Sequence, residues 1–225
     1  MALAIGQKKY SNLNPNGSTQ TLSHLHTSGA DGFLMVSISM ANTVSFASCK
    51  FNGVAMTLLS NNNYGTLSQR NAIYGLAVDG DGSYHNIVVT FTGSQWNPTS
   101  FTVVSFTGCG GFGNYASTGL VSTTTPPYPS YNSQSLTVSQ NSVIYATGGS
   151  VNAQQYAYQI DGVSKAVLFS HNTNKIWGGA LSSTGLTAGS KIVKTATNYG
   201  SITNKRVEIL EASAPPQTRK KVMVI

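Results

Sequence analysis

A chain of 225 residues with 40% hydrophobic and only 8% charged side chains can bury one large core or two small ones, which argues against a disordered chain. The formal net charge is +7, but Lys8 and Lys9 sit near the start and Arg219, Lys220 and Lys221 in the last seven residues. The body between them carries its cations scattered, without the clustered basic face and interleaved aromatics that bind nucleic acid, so nucleic acid is not an expected partner.

In chain order, residues 1–19 read as an N-terminal arm: an apolar start, then NLNPNGSTQ, which is turn chemistry. TLSHLHT (Thr21 to Thr27) is the first clear strand, with Leu22, His24 and His26 on one face. After the turn at Ser28 to Gly32, FLMVSISM (Phe33 to Met40) is apolar enough for a buried central strand. VSFASCKFNGVAMTLLS (Val44 to Ser60) reads as two strands about an Asn52-Gly53 turn, the strongest short hairpin signal in the chain. NNNYGTLSQR (Asn61 to Arg70) reads as a polar connection. NAIYGLAV (Asn71 to Val78) and YHNIVVTF (Tyr84 to Phe91) then read as a second hairpin about Asp79 to Ser83. SFTVVSFTG (Ser100 to Gly108) is a further strand.

The stretch from Cys109 to Ser133 is rich in glycine, proline and serine, and its PPYP (Pro126 to Pro129) cannot donate to a ladder. It is either a domain linker or, as we prefer, a crossover between two halves of one sandwich. The strands after it keep the same spacing, and neither half alone has an obviously complete core. SLTVS (135–139), SVIYATGG (142–149), QYAYQID (155–161), KAVLFSH (165–171), KIWGGALSS (175–183), KIVKTAT (191–197) and KRVEILEA (205–212) follow at the spacing of a sandwich or barrel. No window sustains a helical period. The expected fold is an all-β, antiparallel two-sheet β-sandwich with extended arms: arm 1–19, one domain 20–213 with its crossover at 109–133, and a basic then apolar tail 214–225.

The two cysteines, Cys49 and Cys109, are too few for a disulfide scaffold and lack zinc-site spacing; one bridge between them stays open. MALAIGQKKY has an apolar run shorter than a signal peptide's central region, with its charges after that run. No segment approaches the roughly 20 apolar residues of a membrane helix, so a soluble protein folded in a cytoplasm, with no membrane insertion, is expected.

Candidate chemistry is sparse. His24 and His26 point the same way and could share a metal with a third ligand, but no acid or cysteine lies near them in sequence and a structural role is preferred. Asp79-Gly80-Asp81-Gly82 opens like a calcium loop but lacks the closing carboxylate and flanking helices, so it reads as a hairpin turn. TGCGGFGN (Thr107 to Asn114) has the glycines of a phosphate loop without the helix that should follow, and reads as a flexible loop. No spacing pairs a base with a serine or cysteine. Of the six acids, Asp31, Asp79, Asp81 and Asp161 all adjoin glycine at apparent turns, which argues against a glycosidase pair. No catalytic residue, metal or cofactor is expected. Tyr64, Trp96, Tyr128, Tyr131, Tyr156, Tyr158 and Trp177 are aromatics that could stack on sugar, with Trp96, Tyr128, Tyr131 and Trp177 the leading candidates for glycan contact.

The order TLSHLHTSGADGFLMVSISM, VSFASCKFNGVAMTLL, RNAIYGLAVDGDGSYHNIVVTF, VVSFTG resembles a β-sandwich family of bacteriophage virion structural proteins and bacterial surface proteins. The likeness spans most of residues 20–108 and continues weakly to KRVEILEA; Cys109 and the basic tail depart from it. The resemblance implies a jelly-roll-like, non-enzymatic module on a virion assembled in the host cytoplasm. It would decorate or cement the capsid, dock to capsid or tail subunits and form homo-oligomers. The alternative is a tail, fibre or baseplate component binding a host-surface receptor or glycan. In the docking role the tail is the expected contact with an adjacent subunit: Arg219, Lys220 and Lys221 would meet an acidic patch on it, and Val222, Val224 and Ile225 an apolar groove.

Overall fold

The computed structural model describes residues 2–13, 17–41, 44–64, 69–95, 99–123, 130–150, 156–165, 186–197 and 200–212. The strands are β1 (Ala4–Leu13), β2 (Gly17–Leu25), β3 (Phe33–Ala41), β4 (Phe46–Phe51), β5 (Val54–Ala55), β6 (Thr57–Tyr64), β7 (Gln69–Ala77) and β8 (Tyr84–Gln95). They continue with β9 (Thr99–Thr107), β10 (Cys109–Thr123), β11 (Ser130–Val138), β12 (Val143–Ser150), β13 (Tyr156–Ile160), β14 (Val163–Lys165), β15 (Gly189–Thr197) and β16 (Gly200–Glu211). No helix occurs among the described residues.

The all-β, antiparallel, sandwich-like fold expected from the sequence is the one that forms, but its strands are divided among four sheets instead of the expected two. Sheet I runs β2-β8-β4-β5, sheet II β1-β9-β3-β7-β6, sheet III β10-β16-β12 and sheet IV β11-β15-β13-β14. Three apolar clusters fill the spaces between successive sheets. Leu34, Val36 and Ile38 of β3 pack with Phe51 and Val89 of sheet I. Phe33 and Met35, on the other face of β3, pack with Val143, Tyr145, Val207 and Ile209 of sheet III. Ile144 and Ala146 of β12 pack with Leu136, Tyr158 and Val193 of sheet IV. The order of layers is therefore I, II, III, IV. Covering sheet II on both sides explains why β3 and β9 read as nearly unbroken apolar runs rather than alternating ones.

The Asn52-Gly53 turn is present, with φ of 45° and 80°, the doubly left-handed backbone of a type I′ turn that suits this dipeptide. The hairpin is short, because only Lys50 and Phe51 pair with Val54 and Ala55. Past Met56 the returning arm leaves sheet I, and β6 pairs with β7 in sheet II.

Several expectations need correction. The stretch 1–19, expected as an arm, contributes β1, which pairs with β9 at the edge of sheet II, and the opening of β2. Asn61 to Arg70 is not simply a connection, since both of its ends are strand. Residues 71–91 are not a hairpin: β7 belongs to sheet II and β8 to sheet I. Their connection is anchored by a Gly29–Gly80 bridge instead. There a Cβ on Gly80 would lie 1.5 Å from the Thr27 carbonyl oxygen, so only glycine fits. The glycine-rich stretch after Cys109 is not a loop. It is β10, a 15-residue strand paired with β16 through three register shifts. The expected strand at 175–183 and most of that at 165–171 lie outside the described residues, as does the tail 214–225.

Candidate functional site: a sealed histidine pair and an open apolar groove

The period of β2 turns Leu22, His24 and His26 inward, onto the face of β9 that carries Phe101, Val103 and Ser105. His24 Nε2 lies 2.9 Å and His26 Nδ1 3.1 Å from Ser105 Oγ, and His26 Nε2 lies 3.2 Å from the Val78 carbonyl oxygen. A carbonyl only accepts, so His26 Nε2 carries the proton and Nδ1 accepts from the Ser105 hydroxyl; Ser105 Oγ in turn accepts from His24 Nε2–H. One chain of hydrogen bonds thus runs His24 to Ser105 to His26 to Val78, tying sheet I to sheet II. The Phe51 ring meets His26 edge-on at 5.3 Å and His85 at 5.2 Å. His85 Nε2 also lies 2.8 Å from Asp81 Oδ2.

Burial pushes His24 down to about 4, with lesser contributions from neighbouring His26 and Lys9. Burial likewise lowers His26, against the opposing pull of its bond to Val78. The Asp81 carboxyl is held below its ordinary value, chiefly by the Ser83 N–H and then by His85. A serine between two imidazoles is a residue set used for acyl transfer, and the sequence did not pair them. The one available signal was Ser105 itself, a hydroxyl interrupting the apolar face of β9 opposite a histidine pair. All three residues are fully buried between the sheets, so in this conformation the set is an internal buckle with both imidazoles neutral. Among the described residues no group of three or more His, Cys, Asp or Glu is placed to hold a metal.

β16 carries a second set of buried polar groups. Lys205 donates to Ser60 Oγ at 3.2 Å between sheets II and III, and burial lowers it to about 7. On the opposite face, Arg206 reaches Gln134 Oε1 at 2.5 Å; burial brings it to about 10, partly offset by Tyr158. The Glu208 carboxylate accepts the Asn114 N–H at 3.0 Å and also the Ser139 N–H, binding sheet III to sheet IV. A Cβ on Gly113 would lie 2.2 Å from Glu208 Oε2, which gives the glycine-rich stretch a structural reason.

The open feature is a groove of about 410 Å³ where sheet II meets β10, lined by Phe33, Thr57, Gly75, Ala77, Gly111 and Phe112 among others. Phe112 is 41% exposed and lies 6.2 Å, ring to ring, from buried Phe33. The two strands flanking the groove also expose Leu58 (45%) on β6 and Tyr115 (60%) on β10. The Asp31 carbonyl accepts the Cys109 N–H, Asp79 Oδ1 accepts the Gly32 N–H, and Glu211 is the strand partner of Cys109. The Ala212 N–H donates to the Gly108 carbonyl oxygen at 2.8 Å.

Of the residues singled out for partner binding, Arg219, Lys220, Lys221, Val222, Val224 and Ile225 lie outside the described residues, as do the sugar-stacking candidates Trp96, Tyr128 and Trp177. Tyr131 is placed only as backbone of β11. Tyr158, read as an exposed aromatic, is buried in the cluster between sheets III and IV. The open Cys49–Cys109 bridge does not form: the two residues are buried in different layers, and burial raises Cys49 to about 12.

The class these features define is a four-sheet antiparallel β-sandwich with a sealed polar buckle and an open apolar groove. No family model matches the chain, and no curated protein does. Among solved structures, it is similar to the major capsid protein P2 from Bacteriophage PM2, at 8% identity and a TM-score of 0.34, covering 94% of this chain and 100% of that one. It is also similar to a chain of Sulfolobus Turreted Icosahedral Virus, at 14% identity and a TM-score of 0.22, covering 88% of this chain and 58% of that one. Superpositions this loose carry no argument about role.

Proposed function

We propose that the chain is a non-enzymatic virion structural protein, an exterior capsid-decorating or cementing module that docks to neighbouring subunits. The observation that carries the reading is the groove between the β6 and β10 edges, where the half-exposed Phe112 stands over Phe33, Gly75 and Ala77. Exposed apolar surface of this kind is the mark of a docking surface. The outward faces support it: Thr19, Thr21 and Ser23 on sheet I and Ser135 and Thr137 on sheet IV expose hydroxyls, which favour solubility before assembly. Lys8 and Lys9 on edge strand β1, where the ladder slips between Ile5 and Lys8, protect that edge from uncontrolled pairing.

The test is co-purification. Particles from a lysate producing this chain, banded on a density gradient and washed at moderate salt, should retain it at a fixed ratio to the shell protein, with density on the outer surface in cryo-electron microscopy. Recovery of the chain only in the particle-free fractions would refute the reading.

A further inference from the structure

Three of the chain's four histidines, His24, His26 and His85, gather at the junction between sheets I and II, two of them on one hydroxyl. We infer that this junction is an acid-operated latch: when both imidazoles facing Ser105 carry charge, sheet I parts from sheet II while the other two junctions stay closed. The device goes beyond the docking role and does not depend on it.

The direction of the hydrogen bonds sets the response to acid. At neutrality His24 Nε2–H donates to Ser105 Oγ and the Ser105 hydroxyl donates to His26 Nδ1, at 2.9 and 3.1 Å. One added proton is accommodated by reversing this chain. His26 Nδ1 then donates to Ser105, the Ser105 hydroxyl donates to His24 Nε2, and His26 Nε2–H keeps the Val78 carbonyl. A second proton has no such remedy. Both nitrogens become donors aimed at one oxygen, the hydroxyl proton loses both rings as acceptors, and two positive charges flank a single atom. All three side chains are buried, so neither charge is hydrated unless the sheets separate.

The pair also lies at the flank of the junction, because β2 is the edge strand of sheet I. Gln20, inward on β2 in line with Leu22 and His24, is buried with neither amide atom hydrogen-bonded to the protein. Water reaching this flank satisfies that amide together with the imidazoles, so separation starts there. The charged and titrating groups facing the pair are Lys9 of β1, Asp79 and Asp81 before β8, and His85 of β8. The two acids favour charge on His26, which takes the first proton. Lys9 and a charged His26 oppose the second, on His24. Among the described residues neither of the other junctions holds a histidine, and their buried cations Lys205 and Arg206 take their protons at about 7 and about 10, above the acid range.

The chain carries its own reporters: Cys49 is buried in the apolar cluster between sheets I and II, and Cys109 in that between sheets II and III. The full chain is pulse-labelled from pH 7 to pH 4 with 4,4′-dithiodipyridine, which exchanges with thiols in acid as well as at neutrality. Each cysteine is read by mass spectrometry, and its rate is divided by that of the urea-unfolded chain at the same pH. The relative rate at Cys49 should rise roughly a hundredfold, the factor by which His24, titrating at about 4 when closed and 6.5 when open, favours the open form at pH 4. Cys109 should stay protected. His24→Gln should remove most of that rise, because its amide can donate to Ser105 or accept from it and never charges. His26→Gln, which equally prevents two charges at Ser105, should blunt the rise as well. Cys49 and Cys109 rising together would overturn the latch, since the chain then opens as a whole. So would protection of Cys49 down to pH 4, or a rise of parental size in either variant whose circular dichroism at pH 7 matches the parent.

Discussion

Acidification from pH 7 to pH 4 perturbs the buckle between sheets I and II at a known point. An unfolded histidine takes its proton near 6.5, whereas His24 in the fold does so at about 4. Because the folded value is depressed, the stability this neutral imidazole contributes is complete above about pH 6.5 and is lost as pH falls towards 4; below that His24 costs nothing further. One pH unit corresponds to about 1.4 kcal/mol per proton, so the window is worth about 3 kcal/mol at pH 4. That is a large share of the ~5–15 kcal/mol of a typical domain. The charged and titrating groups that face the pair are Lys9 from β1, Asp79 and Asp81 from the connection before β8, and His85 of β8.

The comparison that isolates His24 is His24→Gln, whose side-chain amide can still donate to Ser105 Oγ but does not titrate. Urea unfolding followed by circular dichroism, at fixed ionic strength in half-unit steps from pH 7 to pH 4, should show the parent losing about 3 kcal/mol more than the variant. His26, the acids and Lys9 are present in both chains, so the difference reads His24 together with its coupling to His26 and Lys9. Parallel loss in the two chains would refute the reasoning. So would an imidazole resonance assigned to His24 that titrates near 6.5.

Three further outcomes follow from the same geometry. Lys205→Met, which removes a buried ammonium bonded only to Ser60 Oγ in the described structure, should leave stability at pH 7 unchanged or raise it by ~1–4 kcal/mol. The parent should gain stability between pH 7 and pH 10 because the folded lysine sits at about 7; the variant should lack this component, read by urea unfolding in both buffers. Gly80→Ala, which puts a methyl 1.5 Å from the Thr27 oxygen, should cost more than about 3 kcal/mol and lower the thermal midpoint sharply. Gly53→Ala forces a methyl-bearing residue into φ near 80° at an otherwise open position, so it should cost only about 1–2 kcal/mol in the same assay.

The strands with clear apolar character were legible, and so was the turn at Asn52-Gly53, because local chemistry sets both. What the period of a strand does not say is which sheet it joins. Val54 to Ser60 has one continuous strand-like pattern, yet it serves sheet I for two residues and sheet II from Thr57 on. For the same reason β7 and β8, separated by an ideal hairpin spacer, lie in different layers. The stretch from Cys109 was misread because its glycines signal loops, whereas here they make room: Gly113 for the Glu208 carboxylate, and Gly111, at φ 116°, for a bulge against Leu210. The polar groups of KRVEILEA were assigned to a strand correctly, but a strand buried on both faces gives its charges no solvent face. Their partners, Ser60, Gln134 and the Asn114 and Ser139 amides, come from distant stretches that no spacing rule connects.

The junction between sheets II and III is built in two parts with different consequences. Towards one end, Phe33, Met35, Val104 and Phe106 meet Val143, Val207 and Ile209, a contact that is strong but tolerant of sliding, since apolar burial is non-directional. Towards the other, Ser37 Oγ bonds Thr147 Oγ1 at 2.6 Å, Thr102 Oγ1 lies 2.8 Å from the Tyr145 hydroxyl, and Lys205 reaches Ser60. Each of these needs its partner at one place, and a slipped register would strand buried donors at about 1–3 kcal/mol apiece. The apolar end thus holds the two halves of the chain together while the polar end selects how they meet. The groove depends on that selection, because Thr57, Gly75 and Ala77 come from sheet II while Gly111 and Phe112 come from sheet III. A groove assembled across this junction keeps its shape only while the Ser37, Thr102 and Lys205 bonds keep the register.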